Sequence, residues 1–326
     1  MESVLPLRIA NSLGYTAIAK SASLRRQDGQ FTKCPSPAKQ ISYRAICGHS
    51  RQILHKGQHQ TVSVNAGTPA ASTASPPRLS ALDASRSLAL ARARHSRQAQ
   101  PVFKDPYAEG LAEGGKYDGE LPQAGTAHTA PDEVATAFLD RQLLTAVSLV
   151  NMDLRQEYRQ VVLVGCGMDT RPFRLVWPPG TVLFMVAPAE VHAVAANSLK
   201  EQGAQVQRAC LLRRVPADLV AGVSFQESLE RSGFRGDRLS VWGLQGLSHL
   251  SLEAAALHSV FTDIVNLAAF GSIVLGELPP MQRAAAENLL AEYSLLGNVV
   301  DVQDAAADDH VQAAEDTDED FFDNFS

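Results

Sequence analysis

Between Val161 and Leu175 the chain reads Val-Val-Leu-Val-Gly-Cys-Gly-Met-Asp-Thr-Arg-Pro-Phe-Arg-Leu. The four apolar residues predict a short strand buried on both faces, as in a parallel sheet, ending at Gly165. Gly165 and Gly167 let the chain turn sharply and let a ligand approach the backbone. Glycines after a first strand do this in nucleotide-type sites. Position 170 is where a dinucleotide site would place its third glycine, and Thr170 stands there instead, which argues against a pyrophosphate cradle. A tight strand-to-helix turn without any ligand would use the same two glycines.

Other reactive residue types are sparse. His192 falls one turn into a predicted helix and reads as a surface residue. No group of His, Cys and carboxylates stands at metal-ligand spacing, so no metal is expected. The four cysteines, Cys34, Cys47, Cys166 and Cys210, form no CxxC pair and read as free thiols in a reducing compartment.

The elements that must position the glycine loop alternate in type. Helices are predicted over 85–98 and 134–150, then a strand over 161–164. A second buried strand, 182–186, follows the Trp177-Pro178-Pro179-Gly180 turn. A helix (190–201), a strand within 205–212, a strand at 240–244, a helix (252–269), a strand (272–277) and a last helix (284–296) complete the series. Strands alternating with helices imply an α/β doubly wound sheet with helices on both faces. In such sheets ligands sit beyond the carboxyl ends of the strands, at the switch point.

The extended motif Gly-x-Gly-x-Asp-Thr-Arg resembles the first motif of the leucine carboxyl methyltransferase-like family of S-adenosylmethionine-dependent methyltransferases. Four more segments resemble that family's in order: "VFKDPYAEGLAEG" (102–114), "WPPGTVLFMV" (177–186), "RRVPADL" (213–219) and "VWGLQGLSHLS" (241–251). The resemblance covers about residues 84–278. It implies a Rossmann-like class I methyltransferase sheet, S-adenosyl-L-methionine as cofactor, and methyl transfer to a carboxylate or hydroxyl oxygen of a small-molecule or protein acceptor. It places Gly165 and Gly167 against the cofactor's methionine part, with Asp169, Thr170 and Arg171 lining the pocket. A mutual ion pair fixing the turn is the equal alternative for Asp169 and Arg171. Asp218 would accept from the adenine amino group, with Leu219 packing beside it; otherwise Asp218 is a cap. Gln245 stands where the family carries a fourth-strand Glu. His249 is the nearest candidate for a base, if the acceptor needs one. It could equally be an ordinary loop or helix-start residue.

The chain also departs from the family pattern. Acids usual at the end of the second strand, where a carboxylate accepts the ribose hydroxyls, are Met185 and Ala187 here. An Arg common in the N-terminal segment is Ala137, with Arg141 one turn on. Each lost charge-assisted hydrogen bond is worth roughly 1.5–3 kcal/mol. A methyltransferase-fold protein that binds or scaffolds without catalysis is therefore the alternative reading. The closing edge strands six and seven are expected to be shortened or missing.

The net charge of −6 hides three segments. Residues 1–80 carry ten Lys/Arg against two acids, have poor hydrophobic periodicity and read as a transit peptide and linker. A chloroplast address is favoured over a mitochondrial one on length and Ser/Thr content. Residues 81–300 are mildly acidic and suit one large domain. Residues 301–326 hold ten acids and no Lys/Arg, and read as an acidic disordered tail. A mildly acidic body without a basic stripe excludes nucleic-acid binding. No apolar run reaches the ~18 residues of a membrane helix.

Overall fold

The computed structural model describes residues 41–47, 80–113, 131–151, 156–165, 168–250 and 252–301. In chain order the elements are β1 (Ile41–Cys47), α1 (Ala81–Ser96), α2 (Ala108–Ala112), α3 (Pro131–Ser148), β2 (Val150–Asn151), β3 (Gln156–Glu157), β4 (Gln160–Gly165), α4 (Arg171–Arg174), β5 (Val182–Ala187), α5 (Ala189–Glu201), β6 (Leu211–Pro216), α6 (Gln226–Arg231), β7 (Ser240–Gln245), α7 (Ala254–Leu267), β8 (Ile273–Glu277), α8 (Arg283–Glu292) and β9 (Leu295–Asp301). Seven strands form one sheet in the order β6-β5-β4-β7-β8-β1-β9, and all its pairs are parallel. This is the expected α/β class.

Alternation along the strands sends side chains to two cores. Val162, Val164, Phe184, Val186, Trp242, Leu244 and Val274 face one way, against Leu88 of α1, Leu229 of α6 and Val260, Phe261 and Ile264 of α7. Val161, Leu163, Leu183, Met185, Val241 and Leu275 face the other way, against Val134, Phe138, Leu139 and Leu143 of α3. A strand buried on both faces reads as a continuous apolar run, which is why β4, β5 and β7 were visible in the sequence.

Helix ends follow local chemistry. Ser80 caps α1: its hydroxyl accepts from the Asp83 amide at 3.1 Å and donates to the Asp83 carboxylate at 2.7 Å. Pro131 opens α3, followed by Asp132 and Glu133 in the first turn, where acids favour the helix dipole.

Four expectations need correction. The third strand of the series lies at 211–216, not within 205–212. It is one of the two edge strands, most of its residues are exposed, and Arg213 and Arg214 break any apolar pattern. The last predicted helix stops at Glu292, and Leu295–Asp301 continues as β9. His192 is buried at 5% exposure, its Nε2 3.2 Å from the Val215 carbonyl. Burial holds its pKa below the ordinary value. Ile41–Cys47, inside the stretch assigned to leader and linker, is a strand lying between β8 and β9. It and β9 occupy the edge beyond β8, where no antiparallel hairpin stands among the described residues. The acidic tail, from residue 302 on, lies outside them. No described helix is long and apolar enough to cross a membrane.

Candidate functional site

The chain leaves β4 for β5 and β6 on one side and later places β7 and β8 on the other. The crevice between the carboxyl ends of β4 and β7 is thus the switch point. Gly165 closes β4 there with φ +148°, and a Cβ on it would stand 1.7 Å from the Gln245 carbonyl oxygen. Only glycine lets the two strand ends approach this closely. A small pocket lies at this point, its roughly 380 Å³ of non-atom space including the open solvent at its mouth. Its walls include Gly165, Met168, Asp169, Gln245, Met185 and Arg92. Gly167 and Cys166 lie outside the described residues.

Beneath the loop, three arginines and three aspartates interlock. Arg171, 2% exposed, donates from Nε to Asp140 at 2.6 Å and from Nη1 to Asp169 at 2.6 Å. Arg174 donates from Nη2 to Asp140 at 2.8 Å and from Nε to the Thr170 hydroxyl at 3.1 Å. The Thr170 hydroxyl donates to Asp105 at 2.6 Å, and Arg92 reaches the same carboxylate from Nε at 2.8 Å. Arg92 also donates from Nη2 to the Met168 carbonyl at 2.5 Å, tying α1 to the loop. Burial works against the charge on Asp105 and Asp169, but the arginines outweigh it and hold both carboxyls below their ordinary value. Burial likewise opposes the charge on Arg171, and Asp169 and Asp140 outweigh it upward.

Asp169 and Arg171 are therefore paired with each other, as the turn-fixing alternative had it, and Asp169 still borders the pocket. Thr170 is wholly buried and committed to the ion lattice. Asp218 is exposed, and its Oδ1 accepts from the Val220 and Ala221 amides, both at 3.1 Å, closing a turn. Leu219 is 2% exposed and packs in the core with Val215 and Phe225. Gln245 donates from Nε2 to the Thr136 hydroxyl at 2.8 Å. His249 sits beyond Gln245, with Nε2 2.9 Å from Asp132 Oδ1.

Sequence reasoning missed Arg92, Asp105, Asp132, Asp140 and Glu277. A signal did exist for two of them. Asp132, Thr136 and Asp140 are spaced four apart and so share one face of α3. They hold His249, Gln245 and Arg171 respectively. For Glu277, the last residue of β8, strand pattern alone gave no sign that its carboxylate turns onto the Gly246 amide at 2.6 Å.

Comparison with known proteins places the chain in a family. Residues 86–265 match the family model described as leucine carboxyl methyltransferase. A rice protein (Oryza sativa subsp. japonica) named O-methyltransferase 1, chloroplastic, is 34% identical over 222 residues, covering 67% of this chain and 59% of the relative. A protein of Mycobacterium avium (strain 104), whose name assigns it to the S-adenosyl-L-methionine-dependent methyltransferases, is 35% identical over 200 residues, or 57% of this chain and 61% of its own length. The chain thus spans about three fifths of the length of each of these relatives.

Proposed function

Because the chain belongs to the leucine carboxyl methyltransferase family, we propose that it is an S-adenosyl-L-methionine-dependent methyltransferase acting on an oxygen of its acceptor. The observation that carries this reading is the pocket at the β4–β7 switch point, inside the span that matches the family.

The donor set fits the methionine end of the cofactor. Arg92 commits Nε and Nη2 and keeps the donors of Nη1 for an anionic group. Asp169 and the Gln245 side-chain oxygen suit a cationic one, and glycine at 165 admits close approach. At the nucleoside end the set is thinner. β5 finishes with the buried run Met185-Val186-Ala187, and Glu190 is exposed on α5. Asp218 and Leu219 remain the proposed adenine-side residues. When bound, the cofactor supplies an electrophilic methyl on a sulfonium sulfur, which leaves as a neutral thioether. The protein's part is to hold an acceptor oxygen in line with that methyl, which is work of proximity and orientation. The Arg–Asp lattice serves it by fixing the loop through buried, charge-assisted hydrogen bonds.

Calorimetry of the full chain with S-adenosyl-L-methionine and S-adenosylhomocysteine tests the reading. Saturable binding of both is expected, and no binding at millimolar ligand overturns it. We further propose a chloroplast location, supported by the name of the rice relative and the basic composition of residues 1–40. Imaging of a fluorescent fusion to the full chain separates plastid from mitochondrion.

A further inference from the structure

Between α5 and β6 a second cavity opens to solvent. It is lined by Phe173 of α4, by Ala196, Leu199 and Lys200 of α5, by Ala204 of the turn that follows, and by Arg214 of β6. None of its lining residues borders the pocket at the β4–β7 switch point. Its roughly 710 Å³ of non-atom space includes the open solvent at its mouth.

The floor is apolar. Leu199 is 3% exposed and clusters with Met168, Val191 and Ala195, and Phe173 packs on that cluster while staying partly exposed. The rim is cationic. Between Lys200 and Pro216 the chain carries Lys200, Arg208, Arg213 and Arg214 against the single acid Glu201. All four cations are exposed, and none has an ion-pair partner among the described residues. β6 is also an edge of the sheet, with no strand beyond it among those residues.

An apolar floor under an unmatched cationic rim suits a segment that sets aromatic side chains among carboxylates. Residues 315–326 have that composition. They read Glu-Asp-Thr-Asp-Glu-Asp-Phe-Phe-Asp-Asn-Phe-Ser, six acids and three phenylalanines with no Lys or Arg. We propose that this segment docks in the α5–β6 groove of its own chain, with its carboxylates on Lys200 and Arg214 and the Phe321-Phe322 pair against Phe173 and Leu199. The proposal stands apart from the methyltransferase reading.

The connection is long enough. β9 ends at Asp301 on the edge opposite β6, six strand spacings away, or about 29 Å. The strands are parallel, so Asp301 lies at their carboxyl ends, while α5 runs back to their amino ends; that adds about 20 Å, the length of one strand. The nineteen residues from 302 to 320 span up to about 63 Å when extended, which covers both distances.

Zero-length coupling with a carbodiimide tests the proposal. The reagent joins a lysine amine to a carboxylate only where the two meet, and Lys200 is the sole lysine after Lys116. In the full chain, mass spectrometry should find Lys200 linked to an acid of 315–323. In a mixture of isotope-labelled and unlabelled chains, that link should join residues of one chain. A link between chains gives the groove to a second copy and overturns the proposal, and so does the absence of any link from Lys200 to 315–323. Lys104, exposed ahead of α2, is the control for undirected collision: equal linking of the segment to Lys104 also overturns it. Two variants then separate the contributions. Arg214→Glu reverses a rim charge on an exposed residue, and Phe321→Ser/Phe322→Ser removes the aromatic pair without touching any described residue. Each should lower the yield of the Lys200 link several-fold while circular dichroism stays that of the wild type. A yield unmoved by either variant overturns the docking.

Discussion

Glu277 carries the largest single consequence at the residue scale. It is 7% exposed, and burial, then the charge of Asp132, lifts its pKa from 4.5 to about 7. A carboxyl with a raised folded value binds its proton more tightly in the native state. Its contribution is full below 4.5 and is lost as pH climbs through about 7. His249, also raised, loses its contribution in the same direction above 6.5. Asp105 and Asp169, both lowered, act oppositely, stabilising above 3.8 and losing that as pH falls. Glu277→Gln removes the first term. The variant should gain stability over the wild type between pH 4.5 and 7.5, by up to about 3 kcal/mol, in urea titrations across that range. A constant difference would refute the buried-acid account. A second residue-scale expectation concerns Ala187. It shares a strand face with Met185, which lines the pocket, and stands nearer the strand end. Ala187→Asp should tighten S-adenosyl-L-methionine binding by about tenfold or more, one charge-assisted hydrogen bond's worth, in the same calorimetry. Unchanged affinity would mean that the ribose is not held from β5. The glycine loop was legible because a sharp turn demands its residue type locally, and Gln245 because it stands where the resembled family carries a Glu. The lattice partners were not, because Arg92 and Asp105 lie 76 and 65 residues from their contacts on the loop.

Helix α3 shows how an element turns sequence spacing into a site. One face carries Asp132, Thr136 and Asp140 to the turn after β7, the end of β7 and the start of α4, and the opposite requirement, burial of Val134, Phe138, Leu139 and Leu143, fixes its rotation against the sheet. The apolar spacing was readable, so the helix was expected nearly where it lies. The polar face was not recognised because its partners are distant in sequence. The two ends of this face should respond differently to mutation. Asp140→Ala strips the buried Arg171 and Arg174 of a shared partner and should cost about 3–5 kcal/mol, seen as a lower urea midpoint. Asp132→Asn acts on a partly exposed pair and should cost under about 1 kcal/mol. Equal losses would mean that the lattice and the His249 cluster are not energetically distinct. The five strands from β4 to β8 were expected, and the one displaced, β6, is an edge strand, whose exposed residues need no apolar alternation.

Over the whole molecule, charge partition was a good guide to composition and a poor one to pairing. The basic stretch 1–80 was set outside the fold because it is rich in Lys/Arg, nearly free of acids and poor in hydrophobic periodicity. Yet Ile41-Ser-Tyr-Arg-Ala-Ile-Cys places Ile41, Tyr43, Ala45 and Cys47 at every second position, which is a strand pattern. Backbone pairing puts β1 in register with β8 over 42–46 and with β9 over 41–47. A strand with neighbours on both sides is central, so β9 reaches the rest of the sheet through β1. Proline at position 44 removes a ladder donor and clashes in mid-strand. In Arg44→Pro, amide exchange over 295–301 should rise well above that of the wild type, while 240–245 keeps its protection. Unchanged protection at β9 would mean that α8 alone secures it. The same topology bears on processing. If a leader is removed on import, cleavage has to fall before Ile41 for the sheet to keep this order. The intact mass of any processed chain should therefore retain Ile41–Cys47, and a mature N-terminus beyond Cys47 would exclude β1 from the working fold.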